Sequence, residues 1–348
     1  MTKKRNSHYE APTLPPAIAV QANTAGFTGR DLLAEAGRTV MAQHATKLYA
    51  HLPGALEGND PHDVHQMRVA TRRLRASLQA TAVAYQPKRV DTLRRHLRKL
   101  ARALGEVRDR DVLLLRLRQD TEASRNVTGE QHDELSAAVE RLQTERDGAH
   151  QELAAELKRK RTARLLQELN DFLECPLAEV QAEDNGLPLL VRHHAGSALW
   201  HEFEAVRRFE TVMADASSER LHELRIAVKH LRYTLELYEP ALSEGAHGLL
   251  KQVTKLQEQL GNLHDADVAI AYLSAALVSR SGHANHNGQN GAAPDDTTQQ
   301  TQPISQLAHY IHTRTAERNS LQESAGPLWE QLVGDETRRQ LAQLITVL

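Results

Sequence analysis

His65-Gln-Met-Arg68-Val-Ala-Thr-Arg72-Arg73-Leu74-Arg75 and His222-Glu-Leu-Arg225-Ile-Ala-Val-Lys229-His230-Leu231-Arg232 are two copies of one pattern, at an offset of 222 − 65 = 157. On a helix turning 100° per residue, His65, Arg68, Arg72 and Arg75 fall within an arc of about 80°. Val64, Met67, Thr71, Leu74 and Leu78 occupy the neighbouring arc. The second copy reproduces both arcs, with His222, Arg225, Lys229 and Arg232 beside Leu221, Leu224, Val228, Leu231 and Leu235. Each copy therefore reads as a helix with one buried apolar stripe and an adjoining cationic stripe. Like charges at i,i+3 and i,i+4 repel. A repulsive stripe repeated in register points to an anion that compensates it.

Downstream, Leu104-Gly105-Glu-Val-Arg108-Asp109-Arg-Asp111-Val112 matches Leu260-Gly261-Asn-Leu-His264-Asp265-Ala-Asp267-Val268 at an offset of 260 − 104 = 156. Two motifs in one order at nearly equal offsets imply an internal duplication, with halves at about 26–178 and 187–348. Between the motifs the first half carries Arg95, Arg98, Lys99 and Arg102, again on one helical arc, and Lys251 and Lys255 align with Arg95 and Lys99. Arg108 and His264 complete the candidate binding set. Gly105 and Gly261 permit close helix approach or a bend. Asp109 and Asp265 either cap a helix segment or hold arginines by charge-assisted hydrogen bonds.

Leu, Ala, Glu, Gln and Arg dominate the chain and aromatics make up only 4%, which favours helix. No alternating strand-type run is present, so the fold class is all-α, with four or five helices per half. Asp60 reads as an N-cap with Pro61 at N1 and Asp63 in the first turn, and its counterpart starts near Ser217-Ser218. Later helices are expected over 90–120, 130–158, 161–174, 246–279, 304–323 and 334–346. Breaks are expected at Pro53-Gly54, Asp60-Pro61, Gln86-Pro87, Cys175-Pro176, Asn185-Gly186 and Pro240. Residues 1–25 read as a mobile leader, and Ser281–Pro303 as a flexible polar insertion in the second half.

Net charge is only −2, but the average conceals an asymmetry. From His65 to Arg118 there are 15 Lys/Arg against 4 Asp/Glu, a surplus of 11, and the remainder carries −13. Clustered charge sets the local potential. Cys175 is the lone cysteine, which fits a reducing cytoplasm. No apolar run is long enough for a membrane span.

The paired motifs starting at His65 and His222, with the paired Leu-Gly…Asp-x-Asp-Val segments, resemble the CHAD family, the conserved-histidine α-helical domain. The likeness runs from about residue 26 to 348. It implies two pseudo-symmetric helical bundles around a central basic channel, binding of inorganic polyphosphate, and association with polyphosphate granules. No ExExK motif of a triphosphatase domain is present, so the resemblance is to a stand-alone member. His230, standing where the first copy has Arg73, and the sparser cations downstream depart from the doubled pattern.

Two other functions compete with polyphosphate binding. A nucleic-acid binder would use the same basic face, but few aromatics are available for base stacking. A metal-dependent phosphohydrolase would use the histidines, and His62 and His65 sit at i,i+3. No carboxylate or cysteine completes a ligand set, and flanking arginines repel a cation. No catalytic motif is present, so the expectation is a binding protein without cofactor or metal. His65 and His222 would then donate to an anion that favours their charged form. His193-His194 and His283/His286 read as surface or loop residues.

Overall fold

The computed structural model describes residues 26–128, 133–174, 189–211, 217–284 and 306–348. They form ten α-helices in two runs of five. The first run is α1 (Leu33–Glu57), α2 (Pro61–Ala80), α3 (Pro87–Thr128), α4 (Asp133–Leu157) and α5 (Lys160–Glu174). The second is α6 (Val191–Arg207), α7 (Ser218–Tyr238), α8 (Gly245–Ala284), α9 (Gln306–Val333) and α10 (Asp335–Thr346). Among the described residues there is no strand, only an isolated antiparallel bridge between Leu32 and Leu190. None of the described helices is long and apolar enough to cross a membrane.

Local chemistry sets the helix limits. Asp60 accepts the His62 N–H at 2.8 Å and Pro61 opens α2. Ser217 does the same for α7 through the Arg220 N–H at 3.4 Å. Gly58 closes α1 in the left-handed conformation at φ 73°, its N–H bonded to the Gly54 carbonyl, a position where any side chain would be strained. The stripes predicted from periodicity are buried: Val64, Met67, Leu74 and Leu78 in α2, and Leu221, Leu224, Val228, Leu231 and Leu235 in α7.

The two halves pack alike. α2 lies between α1 and α3, α7 lies between α6 and α8, and each long helix folds back on its successor, α3 on α4 and α8 on α9. The halves join where α2 packs against α7. They are also tied by the segments before α1 and α6, where the Leu33 N–H bonds Leu189 O and the Val191 N–H bonds Asp31 O, both at 2.9 Å. One apolar core runs through both halves. A second, smaller core of Leu113, Leu117, Leu142, Leu273 and neighbours holds the far ends of the two long hairpins together.

Several boundaries differ from the sequence expectation, among them the end of α3, which runs to Thr128 and not to 120. α1 runs through Pro53-Gly54. Leu48, Leu52 and Ala55 on either side are buried, and Gly54 leaves room for the Asp63 side chain, which a Cβ there would meet at 1.9 Å. α9 continues past residue 323 and through Pro327 to Val333, because Ala325, Trp329 and Leu332 are core residues. α8 reaches Ala284, so the first four residues of the polar insertion are helical. The leader, Cys175, the Cys175-Pro176 and Asn185-Gly186 breaks, His286 and the rest of the insertion lie outside the described residues.

Candidate functional site

α2, α3, α6, α7 and α8 enclose a cleft of 1220 Å³. α2 contributes Arg68, Arg72 and Arg75; α3 contributes Arg94, Arg98 and Arg102; α7 contributes Arg225 and Lys229. The remaining wall carries His194, His201 and Glu202 from α6 and Gln257, Glu258, Asn262 and Asp265 from α8. His230 and Tyr233 complete it from α7.

The second motif explains how the arginines are held. The Arg68 guanidinium lies on α3 over Gly105, where an added Cβ would come within 2.7 Å of it. It pairs with Asp109 at 3.2 Å. Arg225 lies in the field of Asp265 and Asp109, which partly offsets its burial. Asp109 and Asp265 both sit inside unbroken helices and so do not cap; Asp109 holds Arg68, and Asp265 acts on Arg225 electrostatically. The second aspartate of each motif reaches outward instead. Asp111 pairs with Arg146 of α4 at 2.9 Å, and Asp267 pairs with Arg318 of α9 at 3.0 Å. Those arginines also bond Gly58 O and Ser218 Oγ, pinning the chain just before α2 and at the start of α7.

Other cations of the cleft have no such partners. Among the described residues no carboxylate lies at ion-pair distance from Arg72, Arg75, Arg98, Arg102 or Lys229. Arg72 stacks over Tyr233 at 5.4 Å to the ring centroid, and its buried Nε makes no hydrogen bond. The Lys229 amine is pushed down to about 8, by burial first and then by Arg72, Arg225, Arg68 and Arg75. Burial and then Arg98 and Arg94 likewise lower Arg75. These mutual repulsions trace a continuous cationic track from Arg225 and Lys229 through Arg72 and Arg75 to Arg98 and Arg94.

Of the residues singled out from sequence, Arg68, Arg72, Arg75, Arg98, Arg102, Arg225 and Lys229 line the cleft. Arg73 and Arg232 do not; both bind Glu236, at 3.3 and 2.8 Å, and the Arg73 pair ties α2 to α7. His65, Arg108, His222 and His264 form two repeat-related pairs outside the cleft lining. Burial and then Arg108 depress the His65 imidazole, and the His222 and His264 rings lie 5.0 Å apart. Burial, with Arg225 next, pushes His264 down to about 4. Arg95, Lys99, Lys251 and Lys255 are exposed and outside the cleft. Measured from the buried stripe of α3, Arg94 and Arg98 lie at about 100° and 140°, whereas Arg95 and Lys99 lie at about 200° and 240°.

Arg94 was therefore readable from the apolar stripe. Tyr233 and the α6 wall carry no comparable signal. His194, read as a surface residue, is half-buried, with Nε2 3.0 Å from Ala80 O, and His193 takes the Leu190 N–H at the start of α6. Among the described residues no group of three or more His, Cys, Asp and Glu could hold a metal ion.

The family model of the CHAD domain matches residues 39–274. Two uncharacterized proteins from two strains of Mycobacterium tuberculosis are 30% identical over 228 residues, 63% of this chain and 42% of theirs. The chain thus spans less than half the length of these curated relatives. The fold is similar to the crystal structure of the CHAD domain from the plant Ricinus communis, with a TM-score of 0.65 and 23% identity over 88% of this chain and 94% of that one. It is also similar to PptA from Streptomyces chartreusis, with a TM-score of 0.59 and 16% identity over 87% and 99%.

Proposed function

Because the chain belongs to the CHAD domain family, we propose that it binds linear inorganic polyphosphate in this cleft without hydrolysing it, in the cytoplasm and at polyphosphate granules. The observation that carries this reading is a track of cations that repel one another, in which Arg72, Arg75, Arg98 and Lys229 have no described carboxylate at ion-pair distance. Nothing in an empty protein rewards assembling such a track. A polyanion neutralises several of the cations at once and releases its own counterions.

The same chemistry disfavours nucleic acid. Apart from its histidines the cleft offers one aromatic, Tyr233, and Arg72 already covers it, which leaves little surface for base stacking. The test is competition. Labelled polyphosphate bound to the purified chain should be displaced by unlabelled polyphosphate far better than by DNA or RNA of equal charge, with no phosphate released whether or not a chelator is present. Displacement by nucleic acid at equal potency reverses the ligand assignment, and chelator-sensitive phosphate release makes the protein an enzyme.

A further inference from the structure

The duplication gives each cleft position a partner in the other half, and the charges do not all match. α2 and α7 agree: Arg68 is answered by Arg225, and Arg72 by Lys229. α3 and α8 disagree. At the 156-residue offset Arg94, Arg98 and Arg102 are answered by Leu250, Thr254 and Glu258. Glu258 is exposed and lines the cleft, and no described residue pairs with it. Glu202 of α6 and Asp265 of α8 add further carboxylates to the cleft lining.

We infer that the cleft takes a linear polyanion along its α3 wall alone, and that Glu258 is a specificity-determining residue that keeps the chain off the α8 wall. This rests on the proposed polyanion function and deepens it. The chain crosses at Arg225, Lys229 and Arg72 and then follows Arg75, Arg98 and Arg94. A carboxylate opposite is felt across a cleft of this size, because the screening length is about 10 Å at 0.1 M salt. The side of the chain facing α8 keeps its counterions, so the cleft releases fewer of them than a fully cationic channel. One-sided holding limits affinity and leaves one edge of the chain open.

Glu258→Gln, Glu258→Lys and Arg98→Gln can be compared with the unaltered protein, using polyphosphate of one defined length at low salt. Glu258→Gln should tighten binding by about three- to tenfold, the scale of one unit charge at this range in an intermediate dielectric. Glu258→Lys should tighten it further and steepen the slope of log K against log salt by about 0.7, one added phosphate contact. Arg98→Gln should weaken binding. Circular dichroism checks that the exposed substitutions leave the fold intact. Unchanged or weaker binding by Glu258→Gln overturns the one-sided path while the binding function stands. No binding by the unaltered protein removes the function itself.

Discussion

Lys229 shows how a binding residue differs from a structural one. Its folded pKa of about 8 lies below its ordinary value of 10.5. Between these values the unfolded chain holds the extra proton, so folding stability rises with pH across that window. Below pH 8 the whole cost is present, on the order of 3 kcal/mol from 1.36 kcal/mol per unit. Lys229→Met should therefore raise the melting temperature of the free protein at pH 7 while weakening polyphosphate binding. A bound anion restores the proton, so affinity should fall as pH rises above 8, and this fall should be absent in Lys229→Met. Titration calorimetry from pH 7 to 9.5 tests both; a destabilised variant assigns Lys229 a structural role. His264 behaves differently. Burial and Arg225 keep His264 neutral down to about pH 4, so it does not titrate near 6.5 in the free protein as an unperturbed ring would.

Gly105 and Gly261 occupy equivalent motif positions but have different surroundings. An alanine methyl at 105 meets the Arg68 guanidinium, whereas nothing lies within 4 Å at 261. Either alanine gains up to about 1 kcal/mol of helix propensity. Gly261→Ala should stabilise the protein and leave binding alone. Gly105→Ala should leave it folded but displace Arg68 and weaken binding. Equal affinities for the two variants would show that the placement of Arg68 over α3 is immaterial.

At the level of helices, the Asp-x-Asp motif divides its labour: the first aspartate sets the field at a cleft arginine, Arg68 or Arg225, and the second clamps the following helix. Asp111 and Arg146 are nearly inaccessible, at 3% and 10% side-chain exposure. Burial holds the Asp111 carboxyl above its ordinary value despite Arg146, and its second oxygen has no partner. Without Asp111 the buried Arg146 keeps only Gly58 O and the exposed Asp147, so Asp111→Ala should cost about 3 kcal/mol in urea unfolding. Asp267→Ala should cost less, about 1 kcal/mol, because Asp267 is 27% exposed and Arg318 keeps Ser218 and Gln322. Equal losses would refute the distinction. This division was not legible in the sequence, where capping and arginine-holding stood equal. Only the unbroken course of α3 and α8 decides between them. The limits of α2 and α7 were legible because Asp60, Pro61 and Ser217 act on their own neighbours. Pro53 misled because its flanking residues are committed to the core, and tertiary burial outweighs one lost backbone hydrogen bond.

For the whole molecule, the all-α class and the two halves were readable because duplication preserves both period and spacing. The α6 wall was not, since His194, His201 and Glu202 become cleft residues only when α6 packs on α7. The assembled cleft makes salt act in opposite directions on the free and bound protein. In the free protein, screening relieves the repulsion among Arg72, Arg75, Arg94, Arg98, Arg102 and Lys229, so the melting temperature should rise between 50 and 200 mM salt. In the complex, six phosphate contacts give a slope of about −0.7 per contact, and affinity should drop by roughly 2.5 decades over that interval. Polyphosphate at about a hundred times its Kd in 50 mM salt stabilises by about 2.7 kcal/mol, which is a shift of about 4 °C for a chain of this size. In 200 mM salt the same concentration falls below the Kd and the shift should all but vanish. Differential scanning fluorimetry with and without polyphosphate at the two salts measures all four values. A ligand-induced shift that survives 200 mM salt unchanged would mean that the cations of the cleft do not carry the binding.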